Sequence, residues 1–298
     1  MRGWLTMLLL SAIVALSAAT AVSAAEPVRV VASFSILGDM VGEIGGDRVK
    51  VITLVGADGD AHVYQPTPAD AKAMRTADLI VVNGLGFESW FDRLKAAAEA
   101  SAPVVVASAG VRTQVMEEEG HGRITDPHAW QDLANGRIYV ANIANALAAV
   151  RPDDAALFRA NAAAYAQRLA DLEGWVRGEL NSIPRSERKI ITSHDAFGYF
   201  GHAYGLDLIA PVGLSTEAEP TAKGIAALIR QMKSRNVKAV FFENMVDPRL
   251  VEQIAHDGGG VVGGTLYADA LSSPQGPAAT YEAMFRHNVA ALKRALAP

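Results

Sequence analysis

Cysteine is missing from all 298 residues. Its absence excludes disulfides and thiolate metal ligands, and it removes the thiol to which a lipid could be attached. Long apolar runs are equally scarce: residues 5–16 form one, too short to span a bilayer comfortably, and nothing comparable follows. No Lys/Arg block stands out and the formal charge is −5, so a nucleic-acid partner is not expected. Half of the residues are hydrophobic, which excludes a disordered chain.

The apolar run has the context of a signal peptide. It follows the basic start Met1–Arg2 and precedes a patch of small residues, Ala18, Ala19, Ala21, Ser23, Ala24 and Ala25. Cleavage is expected after Ala24 or Ala25, the alternative being an uncleaved anchor. With residues 1–25 removed and no thiol to acylate, the expectation is a freely soluble, periplasmic monomer that is not lipid-anchored.

The remainder, residues 26–298, is longer than one core usually grows, so two lobes are expected. Short β-branched runs alternate with alanine-rich amphipathic stretches, the pattern of an α/β fold with parallel sheets. Strands are expected over 28–34, 49–54, 78–83 and 103–107, with helices over 36–45, 68–75 and 87–100 between them. A polar loop over 113–125 then leads to a helix from about 130 to 150. A second set of strands is expected over 189–193, 206–210, 239–243 and 261–266, with helices over 196–204, 221–236, 248–257 and 277–296. The fold class is therefore two doubly wound parallel-sheet lobes, 26–151 and 184–298, joined by a linking helix over 152–183. At 1.5 Å per residue that linker is about 45 Å long and stiff enough to oppose large lobe closure. A break at Gly174 is the alternative.

Four side chains with metal-ligand chemistry fall at strand ends or loop starts: His62, His128, His194 and Asp269. The first two lie in one half and the last two in the other. In open α/β sheets, ligands gather beyond the carboxyl ends of the strands, so these four loops can converge on the cleft between lobes. Three imidazoles and one carboxylate suit Zn2+, and a shell filled by protein leaves little room for an activated water. Pro66 and Pro127 give the His62 and His128 loops rigid geometry, whereas Asp269 could instead cap a helix. Asp126, Asp195 and Glu243 are candidates for fixing the imidazole tautomers. His202, His256 and His287 read as surface or helix-end groups. His121 lies in the acidic stretch 117–122, which reads as a solvated loop, with a weak metal-gathering arm as the alternative.

Five pieces in chain order carry a resemblance: His62-Val63-Tyr64-Gln65-Pro66-Thr67-Pro68, Asp126-Pro127-His128-Ala129-Trp130, His194-Asp195-Ala196-Phe197-Gly198-Tyr199-Phe200, Thr216-Glu217-Ala218-Glu219-Pro220 and Leu266-Tyr267-Ala268-Asp269. The chain resembles the metal-specific solute-binding proteins of ABC transporters, the zinc and manganese group, over essentially all of residues 26–298. The resemblance implies two lobes joined by one long helix, metal in the cleft, the same four ligands, and a membrane permease as partner. A periplasmic metallochaperone is a candidate donor. A histidine at the third position tilts the cargo toward Zn2+, with Mn2+ or iron as the alternative. Two departures stand out. The stretch 117–122 replaces the long histidine-rich loop of many zinc members, and Ala61 stands where proline commonly precedes the first ligand. The rival readings are a zinc hydrolase and a cell-surface adhesin. The hydrolase would need an open coordination position and a general base, and the chain has no His-Glu-x-x-His helix.

Overall fold

A computed structural model describes residues 26–118, 122–209, 221–237, 239–245 and 248–297. The expected signal peptide, His121 and the piece 216–220 lie outside the described residues.

In the first lobe, β1 (Val28–Phe34) runs into α1 (Ser35–Gly45), followed by β2 (Val49–Val55), α2 (Pro68–Thr76), β3 (Leu79–Val82), α3 (Phe91–Ala97) and β4 (Val104–Val106). The strands form a parallel sheet of order β2-β1-β3-β4, with Val28 opposite Val49 and Ile80 opposite Val104. β5 (Val115–Glu118) and β6 (Gly122–Thr125) pair as an antiparallel hairpin. Then come α4 (Leu133–Val150) and α5 (Ala155–Asn181). The second lobe holds β7 (Lys189–Ile191), α6 (Gly198–Tyr204), β8 (Asp207–Ile209), α7 (Ala222–Arg235), β9 (Ala239–Glu243), α8 (Pro248–Gly258), β10 (Val261–Leu266) and α9 (Tyr281–Leu296). Its sheet is also parallel, of order β10-β9-β7-β8.

The two-lobed α/β class expected from the periodicity is the observed one, and α5 is an unbroken 27-residue helix, about 40 Å long. Gly174 and Gly178 sit inside it without breaking it, and a Cβ at either would meet nothing within 4 Å. α5 buries Phe158, Ala162, Tyr165, Leu169, Leu172, Val176 and Leu180, a stripe at helical spacing. It packs on α1 and α4 of the first lobe and on α9 of the second, so one apolar core runs through both lobes. A smaller cluster around Ile191, Leu228, Met232, Val240 and Ile254 seals the outer side of the second sheet.

Three differences from expectation stand out. The stretch read as a polar loop contains the β5–β6 hairpin, where Val115 faces Thr125 and Met116 faces Ile124. So few apolar residues alternate there that no strand signal rises above its acidic residues. The helix expected from residue 87 starts at Phe91, because Gly84, Leu85 and Gly86 all take positive φ and make a turn. The last helix starts at Tyr281 rather than 277, where the Thr280 side chain accepts the N–H of Ala283 and sets its N-terminus.

Candidate metal centre

All four predicted side chains leave the carboxyl ends of strands and meet between the lobes. His62 follows β2, where its N–H is held by Asp60 Oδ1 at 2.8 Å. The preceding carbonyl, that of Ala61, accepts the buried indole N–H of Trp90 at 2.8 Å. Downstream, Thr67 and Asp70 form a capping box at the start of α2, and Tyr64 donates to Asp70 Oδ2 at 2.8 Å. These bonds fix the loop from both sides, and the Phe87 ring stands edge-on to the imidazole at 4.9 Å.

His128 follows β6 and is fully buried. Asp126 Oδ1 accepts its N–H at 2.9 Å and sits 2.8 Å from its Nδ1. The carbonyl of Pro127 is held by Asn83 Nδ2 at 3.0 Å, and Asn83 is itself fixed by the Tyr139 hydroxyl at 2.6 Å. α6 reaches this corner because residue 198 is glycine, since a Cβ there would lie 2.7 Å from Asp126 Oδ2.

His194 follows β7, and Glu243 ends β9, so the pair stands where the second sheet's connections change direction. Glu243 Oε1 accepts the N–H of His194 at 2.9 Å and the Ser193 hydroxyl at 2.8 Å. Its Oε2 lies 2.5 Å from His194 Nδ1 as an ion-pair contact off the line of a well-directed hydrogen bond. Asp269 follows β10 and is fully buried.

With Nδ1 of His128 and His194 turned to carboxylates, the Nε2 atoms of the three rings point at one another and at Asp269. Asp269 Oδ2 is 3.1 Å from Nε2 of both His62 and His194, and Oδ1 is 3.7 Å from Nε2 of His128. His62 and His128 bring their Nε2 atoms to 3.4 Å. One donor atom from each of the four residues lies within 4.8 Å of the others. Two imidazole lone pairs face each other at such a distance only with a proton or a cation between them. Asp269 Oδ1 and His194 Nε2 are buried without a hydrogen bond, which a cation at the centre would remedy.

The electrostatics agree. Burial opposes charge on His194, but the Glu243 and Asp269 carboxylates outweigh it and hold the imidazole well above its usual pKa. His128 is raised for the same reason, against burial, by Asp269 and Asp126. Asp269 stays well below the usual carboxylate range despite burial, because His128 and His194 face it. Burial raises Asp60, partly offset by the N–H of His62, and burial also raises Asp195.

The histidines read as bystanders stay outside the cluster. His256 is exposed and pairs with Asp257, His202 is exposed, and His287 contacts the carbonyl of Thr265 at 3.0 Å. Of the three carboxylates expected near the rings, Asp126 and Glu243 contact them, whereas Asp195 is not bonded to a ring. Asp60 and Gln131 gave no signal in the sequence, because each acts through a main-chain group brought close only by folding.

A family described as zinc-uptake complex component A, periplasmic (ZnuA), matches residues 30–295. The chain belongs to the ZnuA family. Among relatives, the manganese-binding lipoprotein MntA of Halalkalibacterium halodurans is 37% identical over 265 residues, 89% of this chain and 87% of its own. The iron-binding protein YfeA of Yersinia pestis is 31% identical, covering 89% of this chain and 85% of its own. The solved structure of the periplasmic zinc-binding protein TroA from Treponema pallidum superposes with a TM-score of 0.84 at 31% identity, covering 92% of this chain and all of TroA. As a ZnuA-family member the protein is a metal-binding, substrate-binding component that works with the membrane permease of an ABC-type transporter, and it is not an enzyme. One expectation is corrected. The chain was expected to lack a lipid anchor, but several relatives, MntA among them, are named lipoproteins. That expectation rested on one atom type, the cysteine sulfur, and on a segment outside the described residues.

Proposed function

We propose that His62, His128, His194 and Asp269 are the ligands of a single divalent transition metal, which the protein captures and passes to its permease. The observation that carries this reading is the convergence of four donor atoms within 4.8 Å, three of the four residues being buried. The donor set favours Zn2+, because imidazole suits zinc whereas manganese prefers oxygen. With four protein ligands the site holds its ion rather than activating a water on it. A second reading, Mn2+ as cargo, is supported by relatives named as manganese-binding. Replacing His194 with Ala is expected to lower zinc affinity by orders of magnitude and leave the fold intact. Unchanged affinity by calorimetry would remove the assignment. Elemental analysis of protein isolated without chelators or affinity resin separates the two cargoes: about one equivalent of zinc supports the first reading, and manganese the second.

A further inference from the structure

Asp269 belongs to the second lobe by chain order, yet the main chain on both sides of it is bonded to the first. The carbonyl of Ala268, just before it, accepts two buried donors, Trp130 Nε1 at 2.9 Å and Gln131 Nε2 at 2.8 Å. Two residues after it, Leu271 gives its N–H to Ser35 Oγ at 2.9 Å, and its carbonyl accepts the N–H of Asp58 at 2.9 Å. The loop's far end is held too, since Tyr281 gives its N–H to Asp39 Oδ2 and its hydroxyl to the carbonyl of Trp130. Trp130 and Gln131 lie in the turn that directly follows His128.

His194 is attached differently. Among the described residues, the hydrogen bonds of 192–196 run to one another and to Glu243, all within the second lobe. The helix that follows is held to the first lobe by two phenols, Tyr199 to the carbonyl of Asp126 and Tyr204 to the N–H of Leu133. Beside Glu243, Asn244 Nδ2 donates to Asp58 Oδ1 of the first lobe at 2.8 Å, so the freest unit is the short stretch 192–196 that carries His194, rather than the whole second lobe.

Resting on the four-ligand reading, we propose that Trp130 and Gln131 are positioning residues that fasten the Asp269 loop to the His128 turn. His62, His128 and Asp269 then form one preassembled three-donor face, and His194 is the donor that closes on the metal last and leaves first. Gln131 supports this role. Its side chain is fully buried and its Oε1 has no partner among the described residues, a destabilising arrangement that methionine would avoid. The amide is accounted for by its donor end on Ala268. An ion held this way can be released by withdrawing one imidazole, with three donors left in place.

The test is a double-mutant cycle on zinc affinity, read by competition with a chromophoric chelator. The tether variant (Trp130→Phe with Gln131→Met) and Glu243→Gln are each made alone and in a His194→Ala background. Loss of the tether is expected to weaken zinc binding roughly 10-fold or more in both backgrounds, because it acts on the three-donor face. Glu243→Gln is expected to weaken binding roughly 10–100-fold when His194 is present and to have no effect when it is absent. A tether effect that vanishes without His194, or a Glu243 effect that survives without it, overturns the proposal. If His194→Ala alone left zinc affinity unchanged, the four-ligand reading itself would fail instead. Circular dichroism of the metal-free variants checks folding, with His194→Gln as the replacement background and Gln131→Met as the replacement tether variant.

Discussion

Asp39 offers a stability prediction whose size follows from the geometry. It lies on α1 and accepts the N–H of Tyr281, the first residue of α9, at 2.9 Å, so it ties the lobes together behind the metal loop. Burial pushes its carboxyl up to about 6, with the Tyr281 N–H opposing and the nearby Glu43 and Glu282 charges adding to the rise. A carboxyl whose folded pKa is raised binds its proton more tightly in the native state. Its contribution is therefore full below the unfolded value near 3.8 and is lost as pH rises through 6. Complete burial would make the cost of ionisation about 3 kcal/mol at pH 8 and about half that at pH 5. Asp39 is partly accessible, and water trims this to about 2 kcal/mol at pH 8. Asp39→Asn keeps an oxygen for Tyr281 and abolishes the charge. Urea unfolding of the metal-free protein should show the variant more stable by about 2 kcal/mol at pH 8, with the gain roughly halved at pH 5. A variant less stable at pH 8, or a gain independent of pH, would show that ionised Asp39 does not destabilise the fold.

The same linkage acts among His128, His194 and Asp269. His128 and His194 sit above their usual pKa, so their pairs with Asp126, Asp269 and Glu243 stabilise the metal-free fold fully below the ordinary imidazole value, and that contribution is lost as pH rises through the raised values. Asp269 is depressed, so its share is present above the ordinary carboxylate value and is lost as pH falls through its folded value. On the proposed ligand set, metal displaces protons from these rings. Zinc binding at neutral pH should release protons and weaken as pH falls, and calorimetry in buffers of different ionisation enthalpy that showed no buffer dependence would contradict this. Phe87 is buried against Phe34, Trp130, His62 and His128, so Phe87→Ala should cost about 3–5 kcal/mol and lower metal affinity as the His62 ring loses its backing. Urea unfolding and a metal titration on the same variant check both effects, and a variant as stable as the parent would dismiss this role for the ring.

The strands and helices were legible because both sheets are parallel and buried on two faces, so strands such as β3 and β9 are nearly continuous apolar runs between amphipathic helices. His62, His128, His194 and Asp269 were legible because each sits just beyond a strand or hairpin, where α/β folds collect ligands. The β5–β6 hairpin was not, since only Val115, Met116 and Ile124 mark it. Glu243 was legible only as one of three carboxylates, because nothing local says that β9 ends beside β7. The two hydrogen bonds from Trp130 and Gln131 to the Ala268 carbonyl span more than 130 residues of chain, and periodicity carries no trace of them.

X-ray absorption at the zinc edge of the loaded protein reports directly whether the four distant side chains close around one cation. Three imidazole nitrogens and a carboxylate oxygen at about 2.0–2.2 Å are expected. A spectrum dominated by oxygen donors, with a single imidazole, would contradict it.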